Sequence, residues 1–237
     1  MNGFSNKNSY GFKTDENEEW FEVHSGAVTN TNPGSMVYVT IDTRPICQNM
    51  TNAEFRKEVM ALRDIAVKLI ERRIGELNSW DANAQARTKD WFGRSDLTAR
   101  DVLQTALPKL KRVIAGLQPK NIRRASPELD ATLGCVPRTN AASEEIARVC
   151  APDVATHTIC VNPKFCTLPA TDMFGESKLG SLIHEATHFV DTFGSLDKMY
   201  GFNSYMKIWA AANPDLAIIN ADSIALYVSY GEEAHRA

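Results

Sequence analysis

Apolar residues recur along the chain with two periods, and the change between them divides it. Phe55, Val59, Leu62, Ala66, Leu69, Ile70, Ile74 and Leu77 keep helical spacing, so one stripe of a long helix faces a core. Thr51, with Glu54 three residues later, forms a capping box in front of it. Arg56, Lys57, Glu71 and Arg72 fall on its solvated face. A second helical pattern runs roughly from Asp96 to Leu117, and Pro108 inside it predicts a kink or a division. From about Asn121 to Thr167 the character changes. Pro, Cys and β-prone runs such as Thr156–Val161 (THTICV) predict a small, loop-rich sheet. Helical pattern resumes at Lys178 and continues, with breaks, to the C-terminus. Met36–Ile41 (MVYVTI) reads as a further strand, and residues 1–35 as a polar arm. The expectation is a mainly helical α+β single domain over 36–237, with a helical half at about 51–118 and a mixed half at about 121–237.

Composition narrows the partners. Of 237 residues, 43% are hydrophobic and 23% charged, the balance of a soluble globular protein. A net charge of −3 supplies no basic field for nucleic acid or an anionic membrane surface. No apolar run approaches the roughly 20 residues of a membrane span. The first residues lack the apolar core of a secretory signal, so the sequence has been trimmed, the protein stays inside, or it leaves by a route this N-terminus does not show. Five cysteines contain no CxxC pair, which argues against a four-cysteine zinc site. They are either buried thiols or one or two disulfides with a thiol left over, and the second case implies an oxidising compartment.

The chemistry gathers in Leu182–Val190, which contains HEATH. On a helix, His184 and His188 stand one turn apart on one face, where both imidazoles can reach one metal ion. Glu185 projects about 100° round the helix. That position is poor for a third ligand but suits a carboxylate that takes a proton from a water in metal-assisted hydrolysis. A chance pattern on an ordinary helix is the competing reading. Apolar flanks argue against it, because buried imidazoles need partners.

A catalytic zinc site needs a third protein ligand. The metzincin extension fails, because Asp191 stands at its glycine position and Gly194 at its histidine position. Glu232 and Glu233 would suit a thermolysin-like plan but lie near the C-terminus. Asp197, nine residues beyond His188, can return to the metal if Gly194, a natural C′ residue, ends the helix. Tyr200 would then offer its phenol to a developing oxyanion. Asp197 as an exposed loop carboxylate and Tyr200 as a packed aromatic are the ordinary alternatives.

HEATH followed by Gly194-Ser195-Leu196-Asp197-Lys198-Met199-Tyr200-Gly201 resembles the aspzincin metallopeptidases, the deuterolysin and peptidyl-lysine endopeptidase group. Their pattern is HExxH followed by G-T-x-D-x-x-Y-G, and Ser195 here replaces the threonine. Asn220-Ala221-Asp222-Ser223 is similar to a later N-A-D stretch of that family, and Trp91-Phe92-Gly93 extends the likeness, which spans about Trp91 to Tyr230. The resemblance implies a zincin-like metalloprotease domain whose active-site helix carries HExxH. It implies Zn2+ held by His184, His188 and Asp197, with Glu185 as general base and Tyr200 stabilising the transition state. It places Asp222 in the pocket for the residue after the scissile bond. Ala225 stands where a second acidic residue is expected, which weakens the case for strict lysine specificity. Asp222 as an N-cap is the alternative.

Asp191 is a candidate to orient a ligand histidine, whereas His24, His157 and His235 read as surface residues. Thr156–Val161 is a candidate edge strand for an extended substrate. The function expected is a zinc-dependent metalloendopeptidase acting on protein or peptide, secreted or exported. A zinc hydrolase of another substrate and a catalytically silent binding module are the competitors.

Overall fold

The computed structural model describes residues 45–137 and 145–232, which fall within one unit, Val37–Ala237. The expected strand at 36–41 and the polar arm lie outside the described residues.

Helix α1 (Asn52–Ser79) begins at the anticipated capping box, with the Thr51 hydroxyl accepting from the Glu54 amide and the Glu54 carboxylate accepting from the Thr51 amide at 2.8 Å. Its buried stripe departs from the expected one at a single place. Ile74 is half-buried, and Arg73 is buried in its stead. Helix α2 (Ala82–Phe92) was not anticipated, because Asn, Gln, Arg, Thr, Lys and Asp fill most of it. Its signals are the Asp81 N-cap, which accepts from the Ala84 amide, and burial at Ala84, Thr88, Trp91 and Phe92. Gly93 ends it at φ +69°, and a Cβ there would lie 2.1 Å from the Ala210 carbonyl, so a later helix packs against bare backbone.

Helix α3 (Leu97–Gly116) runs through Pro108 undivided. Pro108 is exposed, so the backbone hydrogen bond it cannot donate is lost where that loss costs least. The chain then enters the expected small sheet. Strand β1 (Ile122–Arg124) is followed by the short helix α4 (Pro127–Thr132), β2 (Ala147–Val149) and β3 (Ile159–Val161). The order is β1-β3-β2, with β1 parallel and β2 antiparallel to β3. Because β3 is the central strand, Thr156–Val161 is not an edge open to substrate; β2, packed against the HEATH helix, is the nearer edge.

After α5 (Pro163–Thr167) comes α6 (Lys178–Thr187), capped by the Ser177 hydroxyl on the Gly180 amide. Short helices α7 (Tyr205–Ala212) and α8 (Pro214–Ala217) lead to α9 (Ala221–Ser229). Helix α9 packs on α6, α2 and α1, so the core joins both halves of the chain. Two disulfides form: Cys47–Cys166 ties the segment before α1 to α5, and Cys135–Cys150 ties the turn after α4 to the residue that follows β2. Cys160, in the central strand, stays a buried thiol.

Candidate metal centre

The backbone after α6 is what turns two histidines into a three-sided site. Thr192 places its hydroxyl 2.8–3.1 Å from the Ala186, Thr187 and Phe189 carbonyls, covering acceptors that the helix end leaves open. Gly194 reverses the chain at φ +58°, and the Ser195 amide donates back to the Thr187 carbonyl at 3.1 Å. Gly194 does not stop the helix, as the sequence suggested. The helix has already ended at Thr187, and six residues of turn intervene.

Asn220 shapes the returning segment. Fully buried, it accepts the Lys198 and Met199 amides on its side-chain oxygen at 2.8 and 3.0 Å and donates to the Met199 carbonyl. Leu196 exchanges backbone hydrogen bonds with Ile219 and Ala221 on either side. Asp197 is thereby held over α6, its Oδ1 3.2 Å from His184 Nε2 and 3.3 Å from His188 Nε2. The two Nε2 atoms are 3.2 Å apart.

These distances can be tested against a metal. Ligand atoms at roughly 2.0–2.1 Å from a tetrahedral zinc are about 3.3 Å from one another, which the three observed separations match. The tautomers agree. His184 Nδ1 lies 2.5 Å from Asp222 Oδ1 and His188 Nδ1 lies 2.9 Å from the Ser195 carbonyl oxygen. Both partners accept, so each Nδ1 donates and each Nε2 of a neutral imidazole presents a lone pair. Two such lone pairs and a carboxylate oxygen would face one another, and His184, His188 and Asp197 form the metal-competent group among the described residues.

Burial works against the charged form of both imidazoles. Hydrogen bonds to Asp197, joined at His184 by Asp222, and the Glu185 charge outweigh it and raise both pKa values. Asp197 is held well below the ordinary carboxylate range despite its own burial, because both imidazoles bond to it. Glu185 is buried, and that burial raises its carboxyl against the pull of the two histidines. The Tyr200 ring is stacked 6.4 Å from His184 at an interplanar angle of 18°, on the open side of the site. Partial burial and then the Asp197 carboxylate raise its phenol, keeping it a proton donor.

Other residues go elsewhere. Asp222 is not an N-cap: Asn220 precedes α9, and the Asp222 carboxylate bonds His184 Nδ1 and, at 2.8 Å, the Gly201 amide. Asp191 does not reach a ligand histidine but pairs with His157 Nε2 at 3.0 Å and lies 3.6 Å from Arg112. His157 is therefore not a bystander; its ring also packs edge-on against Phe189. Glu232 is taken by Arg73 and Arg72, far from metal duty, and Glu233 lies outside the described residues. Asn220 and the Ser195 carbonyl were not singled out as parts of the site from sequence. Their contacts span 21 or more residues in one case and are backbone in the other.

Comparison with known proteins decides the lineage. The aspzincin family model, described as lysine-specific metallo-endopeptidase, matches residues 78–229. The chain belongs to the aspzincin family. It is thus a zinc-dependent metalloendopeptidase with a peptide substrate. Among solved structures, a zinc peptidase from Grifola frondosa shares the fold, with a TM-score of 0.57 at 20% identity over 74% of this chain and 94% of that one. No curated protein matches by sequence. As in the α+β expectation, this aspzincin sets a helical body beside a three-stranded sheet. No helix among the described residues is long and apolar enough to cross a membrane.

Proposed function

We propose that this aspzincin holds its zinc through His184, His188 and Asp197 and cleaves peptide bonds with Glu185 as general base. The observation that carries the reading is the triangle of Nε2, Nε2 and Oδ1 atoms 3.2–3.3 Å apart, with both Nδ1 protons already committed. When bound, zinc supplies a Lewis acid that lowers the pKa of a water towards roughly 7. Glu185, next to the first ligand and in a dry setting that raises its proton affinity, takes the proton from the attacking water and passes it to the leaving amine. Tyr200, kept protonated and stacked beside His184, donates a hydrogen bond to the oxyanion. Asp222 and the Ser195 carbonyl fix the imidazole orientations from behind. An extended substrate is accommodated along β2, the sheet edge that packs on α6.

The two disulfides favour action in an oxidising compartment, so we read the enzyme as secreted or exported. Asp197→Ala tests the ligand set. Zinc content measured by atomic emission after gel filtration should fall from near one equivalent to a small fraction, with the fold retained by circular dichroism. Parent-like zinc affinity in the variant would remove Asp197 from the site.

A further inference from the structure

The segment ahead of α1 carries chemistry that peptide hydrolysis does not use. Asn49-Met50-Thr51 is the one Asn-x-Ser/Thr triplet in the chain, and its middle residue is not proline. That triplet is the pattern on which secreted proteins receive an oligosaccharide at asparagine. Such triplets also arise by chance, so usability depends on where the fold puts this one. Asn49 lies in the turn between the buried Cys47 and the start of α1, and both Asn49 and Thr51 are exposed. A bulky, hydrated glycan on Asn49 therefore extends into solvent without displacing a core side chain. Both residues also serve the fold, and neither service conflicts with modification. Asn49 Nδ2 donates to the Cys166 carbonyl at 3.1 Å. A side-chain amide has two N–H groups, so linkage replaces one and leaves the other for that bond. Thr51 caps α1 through its hydroxyl, which glycan transfer does not consume. The order of synthesis keeps the triplet open as well. Cys166, the disulfide partner of Cys47, is made 119 residues later. At roughly 5–20 residues per second, the turn stays unpinned for about 6–24 s.

Resting on the reading of the enzyme as secreted or exported, we propose that Asn49 is an acceptor for an N-linked glycan. The donor class is a lipid-linked oligosaccharyl pyrophosphate, used by a transferase of the secretory compartment. A bond forms between Asn49 Nδ2 and the sugar C1 as the bond from C1 to the pyrophosphate oxygen breaks. The pyrophosphate leaves with the bonding pair, and Nδ2 gives up one proton. The product carries its glycan on the segment that Cys47–Cys166 ties to α5, and the two modifications fit one compartment, since disulfides also need an oxidising one. No residue of the metal centre takes part.

The test expresses the full chain behind a cleavable secretion signal in a eukaryotic host and reads the intact mass of the secreted enzyme. The majority of chains should carry added sugar mass that peptide N-glycosidase removes, a treatment that converts the linked Asn49 to aspartate in the peptide containing it. Asn49→Gln should lose the sugar, and Thr51→Ser, which keeps the hydroxyl, should retain it. If Asn49→Gln is not secreted, Thr51→Asn decides instead, because asparagine still caps a helix but breaks the triplet. A secreted, disulfide-bonded parent with Asn49 unmodified overturns the proposal and leaves the compartment and peptidase readings standing. A glycan that survives Asn49→Gln or Thr51→Asn does the same. Chains that stay inside the cell with their cysteines reduced overturn the compartment reading and this one with it.

Discussion

Glu232→Gln separates a structural role from a metal role at one carboxylate. The structure gives Glu232 to an arginine cluster: Arg73 at 2.6 Å, Arg72 in a shorter contact, and Arg87 at 3.5 Å. Arg73 decides the magnitude, because its side chain is 2% exposed and its Nε has no hydrogen-bond partner. Without the Glu232 charge, only Glu76 among the described residues, at 2.9 Å and one-third exposed, faces that guanidinium. Breaking a buried pair from one side costs about 3–5 kcal/mol, and the surviving Glu76 contact argues for the low end, about 3 kcal/mol. Arg72 is half-exposed and adds less than about 1 kcal/mol. Arg87 keeps the Tyr227 and Tyr230 carbonyls as acceptors. For a protein of this size the loss corresponds to a melting temperature roughly 6–12 °C lower. Denaturant titration and calorimetry of zinc-loaded protein would measure it, alongside zinc stoichiometry, which should not change. The double variant Arg73→Met/Glu232→Met should recover most of the loss, since an apolar pair strands no charge. A shift within experimental error, or loss of zinc from Glu232→Gln, would refute the reasoning.

The two disulfides should differ in worth. In the chain-entropy model, a separation of 119 residues at Cys47–Cys166 contributes about 5 kcal/mol and one of 15 at Cys135–Cys150 about 3 kcal/mol; paired Cys→Ala variants compared by urea denaturation should rank that way, and the reverse order would contradict it. Cys160 is the thiol left over, and burial pushes it up to about 12. Its thiolate is therefore scarce below that pH. Iodoacetamide at pH 8 should leave native protein unlabelled and add one group per chain after denaturation, whereas full native labelling would show that Cys160 is accessible.

Elements with local punctuation were legible in the sequence. The starts of α1 and α6 and the extent of α3 follow from caps and apolar spacing that act within a few residues. Helix α2 escaped because its buried residues are few and its surface is highly polar. In the metal centre, HEATH and Asp197 lie within 14 residues of one another, so their approach needs only the turns between Thr187 and Asp197. The contacts that fix the centre were hidden for a different reason. Asn220 meets the 198–199 amides and Asp222 meets His184 across 38 residues, pairings created only when α9 docks. Linear spacing carries no information about them. The same holds for Asp191, whose real partner, His157, comes from the far end of the loop before β3.

The central claim is tested most directly by measuring zinc and proteolysis together in the parent and in Glu185→Gln. Glu185 is outside the ligand triangle, so both proteins should carry near one equivalent of zinc, and casein or peptide cleavage should fall at least 10²-fold in the variant alone. Parent-level cleavage by Glu185→Gln, or a parent that cuts peptides without zinc, would contradict the account.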